Sequence, residues 1–141
     1  MYTVTTPIQV RYQETDQMGV VYHANYLVWL EIGRTEFIHG LGLSYKKMEE
    51  EGVVSPVTHV DLHYKVPVRY GETAYVKTWI DYYDGLRTTY GYEVINERNE
   101  VALHGTTDHV VVKKDNFRPV SVRRQFPEWH EKYMQAQQGD E

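Results

Sequence analysis

The chain has 141 residues, of which 41% are hydrophobic and 25% are charged, and its formal net charge is -5. This length suits a single domain over residues 1–141, and this composition favours neither a disordered nor a membrane-spanning chain. The negative charge gives no general attraction to nucleic-acid phosphates, so nucleic acid is not an expected partner. The chain contains no cysteine, which excludes disulfides, thiolate catalysis and cysteine-ligated zinc.

The first predicted element is a short strand. In PIQVRY, Ile8 and Val10 alternate with polar residues, which is the pattern of a strand with one buried face. The start of the chain has no basic segment followed by an apolar one, and no later run nears the roughly 20 apolar residues that span a bilayer. A cytoplasmic protein without membrane association is therefore expected. Residues 13–24 lack periodicity and contain Gly19, which predicts a loop.

A buried helix is predicted from Asn25 onward. Asn25 is a suitable N-cap, and Gly40 supplies a suitable end. Glu31 and Arg34 have the i,i+3 spacing of an ion pair, and we expect them to form one. A helix that is apolar on nearly all sides is a buried helix. Apolar and small residues recur here at helical spacing: Tyr26, Trp29, Leu30, Gly33 and Phe37.

Strands are predicted over most of the remaining chain, after a short exposed helix in SYKKMEEEG that Ser44 caps. Turn residues separate the strands at Asp84-Gly85 and at residues 97–100. Apolar and polar residues alternate in four segments: VTHVDLHYKVP, ETAYVKTWIDYYD, RTTYGYEVINE and VALHGTTDHVVVKK. Four consecutive strands with short turns favour a mainly antiparallel sheet, because parallel pairs need long crossovers.

These elements predict an α+β domain in which a curved antiparallel β-sheet wraps around a central α-helix. One sheet cannot cover such a helix completely, so a second subunit is expected against the remaining surface. From about residue 128 to residue 141, a small C-terminal helix and a polar tail are expected.

Three potential metal ligands follow one another on one face of a predicted strand. His59, Asp61 and His63 alternate with apolar residues. At about 3.3 Å per residue, His59 and His63 lie about 13 Å apart, whereas zinc holds its ligands at about 2 Å. We therefore expect a polar face that meets solvent or a partner, and we predict no metal site. His104 and His109 fall on opposite faces of their strand and are similarly weak candidates.

Asp16 and His23 immediately precede the predicted buried helix. The N-terminus of a helix presents unpaired N–H groups with a partial positive charge, which can bind an oxyanion that forms in a transition state. Asp16 could then act as a general base or as a nucleophile, and His23 could offer its backbone N–H to a carbonyl oxygen. The alternative is that Asp16 caps a turn and His23 is a boundary residue. The residues alone leave both interpretations open.

The same stretch resembles a known family. VRYQETDQMGVVYHANYLVWLEIGRTEF resembles the opening of the 4-hydroxybenzoyl-CoA thioesterase-like acyl-CoA thioesterases, which have the hot-dog fold. YKVPVRYGET and VALHGTTDHVVVKKDNFRPV resemble later parts of that family, so the likeness extends to about Pro127. The matched positions of the opening stretch are, in order, Asp16, Gly19, Val20, Val21, Tyr22, His23, Asn25 and Tyr26.

The resemblance implies an acyl-CoA thioesterase that needs no cofactor and no metal. Two subunits would join their sheets edge to edge, dimers would commonly pair into homotetramers, and the active site would lie at the subunit interface. Asp16 would be the catalytic carboxylate, as nucleophile or general base. The backbone N–H of His23 would stabilise the oxyanion. Substrate-binding positions would include Tyr22, Gly19 and Asn25.

Coenzyme A would be part of the substrate, or a carrier protein would present the acyl group on a pantetheine arm. Both carriers bring phosphate groups, and three basic residues near strand ends could contact them: Lys65, Arg69 and Lys113. Two other functions compete with hydrolysis. One is a hot-dog hydratase or dehydratase acting on acyl thioesters. The other is a module that binds acyl thioesters without turnover.

Overall fold

The structure is a computed structural model that describes residues 1–138. Short single-turn helices flank the loop before the main helix, at Tyr12–Glu14 and His23–Asn25. The helices are α1 (Tyr26–Gly40), α2 (Tyr45–Glu50), α3 (Val122–Gln125) and α4 (Pro127–Gln138). The strands are β1 (Thr3–Gln9), β2 (Val53–Val54), β3 (Val57–Tyr64), β4 (Thr73–Tyr83), β5 (Arg87–Ile95), β6 (Val101–Val110) and β7 (Val112–Lys113).

The main sheet has five strands in the order β1-β4-β5-β6-β3, and every neighbouring pair is antiparallel. The predicted antiparallel sheet is thus confirmed. Strands β4, β5 and β6 follow one another as a meander, but β3 pairs with β6 instead of with β4, which comes next in the chain. As a result β3 lies at one edge of the sheet. Strands β2 and β7 form a separate two-stranded sheet.

Helix α1 packs on the sheet through the apolar stripe that the sequence predicted. Its buried residues are Tyr26, Trp29, Leu30, Gly33, Phe37 and Ile38. Gly33 allows a close approach between helix and sheet, because a Cβ at this position would lie 2.7 Å from both Thr78 Oγ1 and Val76 Cγ1. The inner face of the sheet supplies the other half of the core with apolar and tyrosine side chains, among them Val76, Ile80, Tyr90, Tyr92 and Val94.

The prediction that α1 is buried on nearly all sides is wrong for the single chain. Leu27, Val28 and Ile32 are 40%, 47% and 40% exposed. On the edge strand β3, Val60 and Tyr64 share the inner face of the sheet, and they are 40% and 49% exposed. We refer to these five residues as the α1–β3 surface.

Two local expectations about α1 are also wrong. The side chain of Asn25 makes no cap hydrogen bond, because the turn His23–Asn25 begins the helix earlier and Asn25 already has helical dihedral angles. Glu31 and Arg34 form no ion pair among residues 1–138. Arg34 instead donates a hydrogen bond to the hydroxyl of Tyr92, at 3.1 Å.

The C-terminal helix α4 contributes to the core. Its Tyr133 and Ala136 are buried in the same cluster as α1 and the inner face of the sheet. The small helix expected near residue 128 is therefore confirmed, and it is longer than expected. The end of the predicted polar tail, residues 139–141, lies outside the described residues. Within residues 1–138, no helix combines the length and the apolar character needed to cross a membrane.

Candidate active site

The loop that carries Asp16 folds back on itself as a small hairpin. Thr15 and Val21 form an antiparallel bridge, and the N–H of Asp16 donates to the carbonyl of Val20 at 2.9 Å. The N–H of Gly19 closes the turn on the carbonyl of Asp16 at 3.0 Å. Gly19 has a φ of +80°, a conformation that residues with a side chain rarely adopt. This glycine therefore fixes the position of Asp16 at the tip of the hairpin.

The Asp16 side chain is half-buried, and one of its two oxygens is engaged. Oδ1 accepts a hydrogen bond from the N–H of Met18 at 2.8 Å, which is an Asx turn. The other oxygen accepts no hydrogen bond from any residue in the described range 1–138. Asp16 thus has both features that the sequence left open, since it caps a turn and also keeps a carboxylate oxygen available for chemistry.

Glu14 holds this loop against the central helix. Its carboxylate is buried and accepts from the indole N–H of Trp29 at 2.9 Å and from the N–H of Arg11 at 2.8 Å. Burial alone would raise the pKa of Glu14, but the hydrogen bonds from Arg11 and Trp29 hold the pKa below its usual value. The backbone carbonyl of Glu14 accepts from the N–H of Tyr22 and from the side-chain amide of Asn25. Both ends of the hairpin are therefore tied to α1.

The hairpin leads directly into the N-terminus of the central helix. The turn His23–Asn25 continues into α1, so the N–H groups of His23 and Ala24 belong to a first turn that has no intrahelical acceptor. The hydroxyl of Tyr64 on β3 donates to the carbonyl of His23 at 3.0 Å. This bond secures the start of the helix and leaves the His23 N–H unused by it.

Aromatic rings surround this end of the helix. The rings of Tyr22 and His23 have centroids 4.5 Å apart, and Tyr64 meets Tyr26 edge-on at 5.6 Å. Burial raises the pKa of Tyr26 to about 12, so its phenol stays neutral at physiological pH. Tyr22 and His23 are exposed in the single chain, whereas Tyr26 is buried. The site is therefore open on the side of Tyr22 and His23.

The structure places two of the three candidate phosphate contacts beside this site. Arg69 lies next to the hairpin, because Val20 and Arg69 form an antiparallel bridge. Lys65 directly follows Tyr64 and is exposed. Lys113 lies elsewhere, in β7, where it pairs with Val53 of the small sheet.

The three potential metal ligands His59, Asp61 and His63 lie on the outer face of the edge strand β3. His63 Nε2 lies 3.2 Å from Asp61 Oδ1, and the His63 ring stacks on His104 of β6 at 4.9 Å between centroids. Within residues 1–138, no group of three or more His, Cys, Asp or Glu side chains is arranged to hold a metal ion.

The arrangement has the parts that an acyl-transfer reaction requires. A carboxylate with an available oxygen stands at a rigid turn, and a helix N-terminus with unpaired N–H groups begins seven residues later. Sequence reasoning gave Glu14 no role in this site. The signal that could have identified it is the combination of an acid in the loop with a tryptophan in the apolar stripe, since a buried indole N–H needs an acceptor.

Comparisons with known proteins agree with this fold. The family model described as "Thioesterase-like superfamily" matches residues 10–136. Over 136 residues the chain is 50% identical to "Putative acyl-CoA thioesterase YneP" of Bacillus subtilis, covering 96% of this chain and 99% of that protein. It is 30% identical over 93 residues to "Acyl-CoA thioester hydrolase YbgC" of Escherichia coli O157:H7, covering 66% of this chain and 69% of that protein.

A solved structure shows the same architecture. The crystal structure of a DHNA-CoA thioesterase from Staphylococcus aureus superimposes with a TM-score of 0.93 and 46% identity, over 95% of this chain and 90% of that chain. The fold is thus the hot-dog fold that the family resemblance implied. Because the family model spans most of the chain and the Bacillus relative matches nearly all of it, the protein belongs to the thioesterase-like superfamily.

Proposed function

We propose that the protein is a thioesterase that hydrolyses an acyl-coenzyme A to the free acid and coenzyme A, with Asp16 as the catalytic carboxylate. The observation that carries this proposal is the available carboxylate oxygen of Asp16 on a hairpin tied to the N-terminus of α1. The printed names of the relatives from Bacillus subtilis and Escherichia coli support an acyl-CoA as the substrate.

The reaction can follow either of two routes, and both use the same groups. As a nucleophile, Asp16 attacks the thioester carbon, the thiolate leaves and takes up a proton, and water then hydrolyses the mixed anhydride. As a general base, Asp16 removes a proton from a water molecule while the water oxygen attacks the thioester carbon; the C–S bond then breaks, and the leaving thiolate takes up the proton from Asp16. In both routes the carbonyl oxygen gains negative charge, and the N–H of His23 stabilises it at the positive end of the helix.

The rest of the site would bind the substrate. Tyr22 and the His23 ring would contact the acyl end, because they are exposed next to the proposed oxyanion position. Lys65 and Arg69 would contact the phosphates of coenzyme A, since both are exposed cations near the site. Arg69 lies beside the hairpin, and Lys65 directly follows Tyr64. Gly19 would act by shaping the turn, and Asn25 by holding the loop through Glu14.

We also propose that the active form is a homodimer at least, joined at β3. This strand is at the edge of the main sheet, and the α1–β3 surface next to it exposes five apolar or aromatic side chains. Unpaired edge strands and contiguous apolar patches are usually covered. Two copies that pair through β3 would cover both. Pairing of dimers into a homotetramer is the further step that the family resemblance implies.

The test of the proposed reaction is thiol release from acyl-CoAs with short, medium, long and aromatic acyl groups. Asp16→Asn keeps the size of the side chain and the cap on Met18 but removes the charge. We expect it to lower turnover roughly 100- to 10,000-fold, the usual effect of losing an acid–base or nucleophilic group. Circular dichroism and thermal unfolding should show an unchanged fold.

Asp81→Asn is the matched control, because Asp81 is an exposed carboxylate on β4 outside the site. It should hydrolyse the same substrates at the wild-type rate. Full activity of Asp16→Asn would show that another group carries the reaction. If the wild-type protein releases no thiol but changes the acyl group, the proposal fails in favour of hydration or dehydration.

A further inference from the structure

A cavity lies farther along α1 than the Asp16 hairpin. It has a volume of about 210 Å³, and residues of α1, α2, α4, β5 and β6 line it. Glu31 and Arg34, which line the cavity, lie eight and eleven residues beyond His23, which corresponds to about 12 to 17 Å along the helix axis. No residue of the 13–24 loop lines it.

Arg34 brings a positive charge to this cavity, and no carboxylate among the described residues forms an ion pair with it. The side chain is half-buried, and its one hydrogen bond among the described residues goes to the hydroxyl of Tyr92. Glu31 also lines the cavity, but it is exposed and forms no ion pair with Arg34. Half-buried cations are normally paired, so an anion in this cavity would complete the site.

The hydrogen bonds behind Arg34 all run in one direction. Ser55 offers a carbonyl to His109 Nδ1 at 3.4 Å, and a carbonyl can only accept, so Nδ1 carries the proton. His109 Nε2 must then accept from the hydroxyl of Thr107 at 2.9 Å. That hydroxyl accepts in turn from Tyr92 at 2.6 Å, and Tyr92 accepts from Arg34. The network therefore uses the acceptor nitrogen of His109 internally and leaves Arg34 as the hydrogen-bond donor at the cavity end.

Hydrogen-bond donors, in contrast, remain available in the cavity wall. The hydroxyl of Tyr45 accepts from the N–H of Ser55 at 2.7 Å, which leaves its own proton free to donate. Tyr90 and Tyr133 share one hydrogen bond of 2.6 Å between their hydroxyls, so one of their two protons is also left over. Burial raises the pKa values of all three tyrosines, so each keeps its proton at neutral pH.

The remaining wall is mostly apolar and includes the rings of Tyr83 and Trp129. The other residues that line it are Ile38, Met48, Val111, Val122 and two threonines, Thr35 and Thr88. The volume is below the roughly 300 to 1,000 Å³ of pockets for drug-sized ligands, so it suits a molecule with a single ring. Ring-lined walls favour a flat aromatic ligand, because aromatic pairs gain energy beyond the area they bury.

We propose that this cavity is a binding site for a small aromatic carboxylate, which Arg34 and the free hydroxyl protons of Tyr45 and of the Tyr90–Tyr133 pair hold by its oxygens. Three features identify the ligand: hydroxyl protons without an acceptor, a cation without an ion-pair partner, and a wall that contains several aromatic rings. The proposal does not depend on Asp16, because none of the residues that carry it belongs to the hairpin.

Isothermal titration calorimetry with benzoate tests the proposal, with the uncharged benzamide as the matched ligand. We expect benzoate to bind and benzamide to bind at least about tenfold more weakly, the scale of one charge-assisted hydrogen bond. Arg34→Gln should weaken benzoate binding by about the same factor. Glu31→Gln should strengthen it or leave it unchanged, because it removes a negative charge from the cavity. Asp16→Asn should have no effect on it.

Thr88→Phe provides a test that leaves every charge in place. Thr88 lines the cavity, and a phenyl ring at this position would occupy the space of the ligand. We expect this variant to stay folded and to lose benzoate binding. The proposal is overturned if benzoate does not bind at millimolar concentration, if it binds Arg34→Gln or Thr88→Phe as well as it binds the wild type, or if Asp16→Asn alone changes its affinity.

Discussion

His109 is a buried histidine whose neutral form the fold requires. Burial, and then the charge of Arg34, lower the pKa of His109 from 6.5 to about 4. Protonation would also remove the acceptor that Thr107 uses at Nε2. The folded state therefore binds this proton less readily than the unfolded state does, and the free energy of unfolding must fall as the pH drops between 6.5 and 4.

We predict that His109 contributes about 3 kcal/mol to the loss of stability over this pH range, which is the free-energy equivalent of its pKa shift. His109→Gln removes the titrating group, so its free energy of unfolding should change less between pH 7 and pH 4 than that of the wild type. Urea unfolding at a series of pH values measures both curves. His59→Gln, at an exposed position, is the control. Parallel curves for wild type and His109→Gln would contradict the prediction.

Single residues also show where sequence reasoning fails. In an extended segment the side chain of Glu14 would point away from that of Asp16, but Glu14 lies in the turn Tyr12–Glu14, and its side chain is buried against Trp29. Arg34 was paired with Glu31 because neighbours on a helix surface were considered alone. Arg34 instead donates its hydrogen bond to the hydroxyl of Tyr92, which lies 58 residues later in the chain. Side-chain partners that are distant in sequence leave no local pattern.

At the scale of elements, the contact between α1 and β4 depends on a missing side chain. Gly33 faces β4, and an added Cβ would lie 2.7 Å from Thr78 Oγ1 and from Val76 Cγ1. Both neighbours are buried on a central strand of the sheet and have little room to move. The closeness of helix and sheet is thus set at this residue.

We predict that Gly33→Ala lowers the free energy of unfolding by roughly 1 to 3 kcal/mol, the usual cost of overpacking a core. Alanine is a better helix former than glycine by about 1 kcal/mol, so helix propensity alone would raise the free energy of unfolding. A decrease would therefore show that the close contact with β4 outweighs helix propensity. Thermal or chemical unfolding measures the change. Thr35→Ala, at an exposed position of the same helix, should stay within about 0.5 kcal/mol of the wild type. A stabilised Gly33→Ala protein would mean that helix and sheet can move apart freely.

Most elements followed from local patterns, whereas their pairing did not. The apolar stripe of α1, the Ser44 cap of α2 and the Asp84-Gly85 turn all depend on residues a few positions apart, and the structure confirms them. The pairing of β3 with β6 joins residues that are 39 to 52 positions apart in the chain. Short turns predict which strands form hairpins, but they do not predict which strand closes the edge of the sheet.

At the scale of the whole molecule, the α1–β3 surface is the part that a single chain leaves incomplete. Val60 lies on the inner face of the edge strand and is 40% exposed, and Val28 on α1 is 47% exposed. The expectation of a second subunit arose from the sequence because one sheet cannot cover a helix this apolar. The structure supplies the edge strand through which the proposed dimer would form.

We predict that Val60→Asp converts the proposed oligomer into monomers, because it places a charge on the inner face of the edge strand. Size-exclusion chromatography with light scattering measures the mass. Leu86→Asp is the matched control, since Leu86 is 46% exposed in the turn between β4 and β5. It should leave the mass unchanged. A wild-type protein that is monomeric at micromolar concentration would disprove the proposed dimer.

Trp29 belongs at once to the hydrophobic core and to the anchoring of the Asp16 hairpin. Its ring is completely buried against the sheet, and its indole N–H holds the carboxylate of Glu14. A smaller or differently shaped residue at this position would alter the packing of the core and release the loop in a single mutational step. A substitution at Trp29 therefore changes the interior of the protein and the support of the Asp16 hairpin together, so the core and the hairpin cannot vary independently at this position.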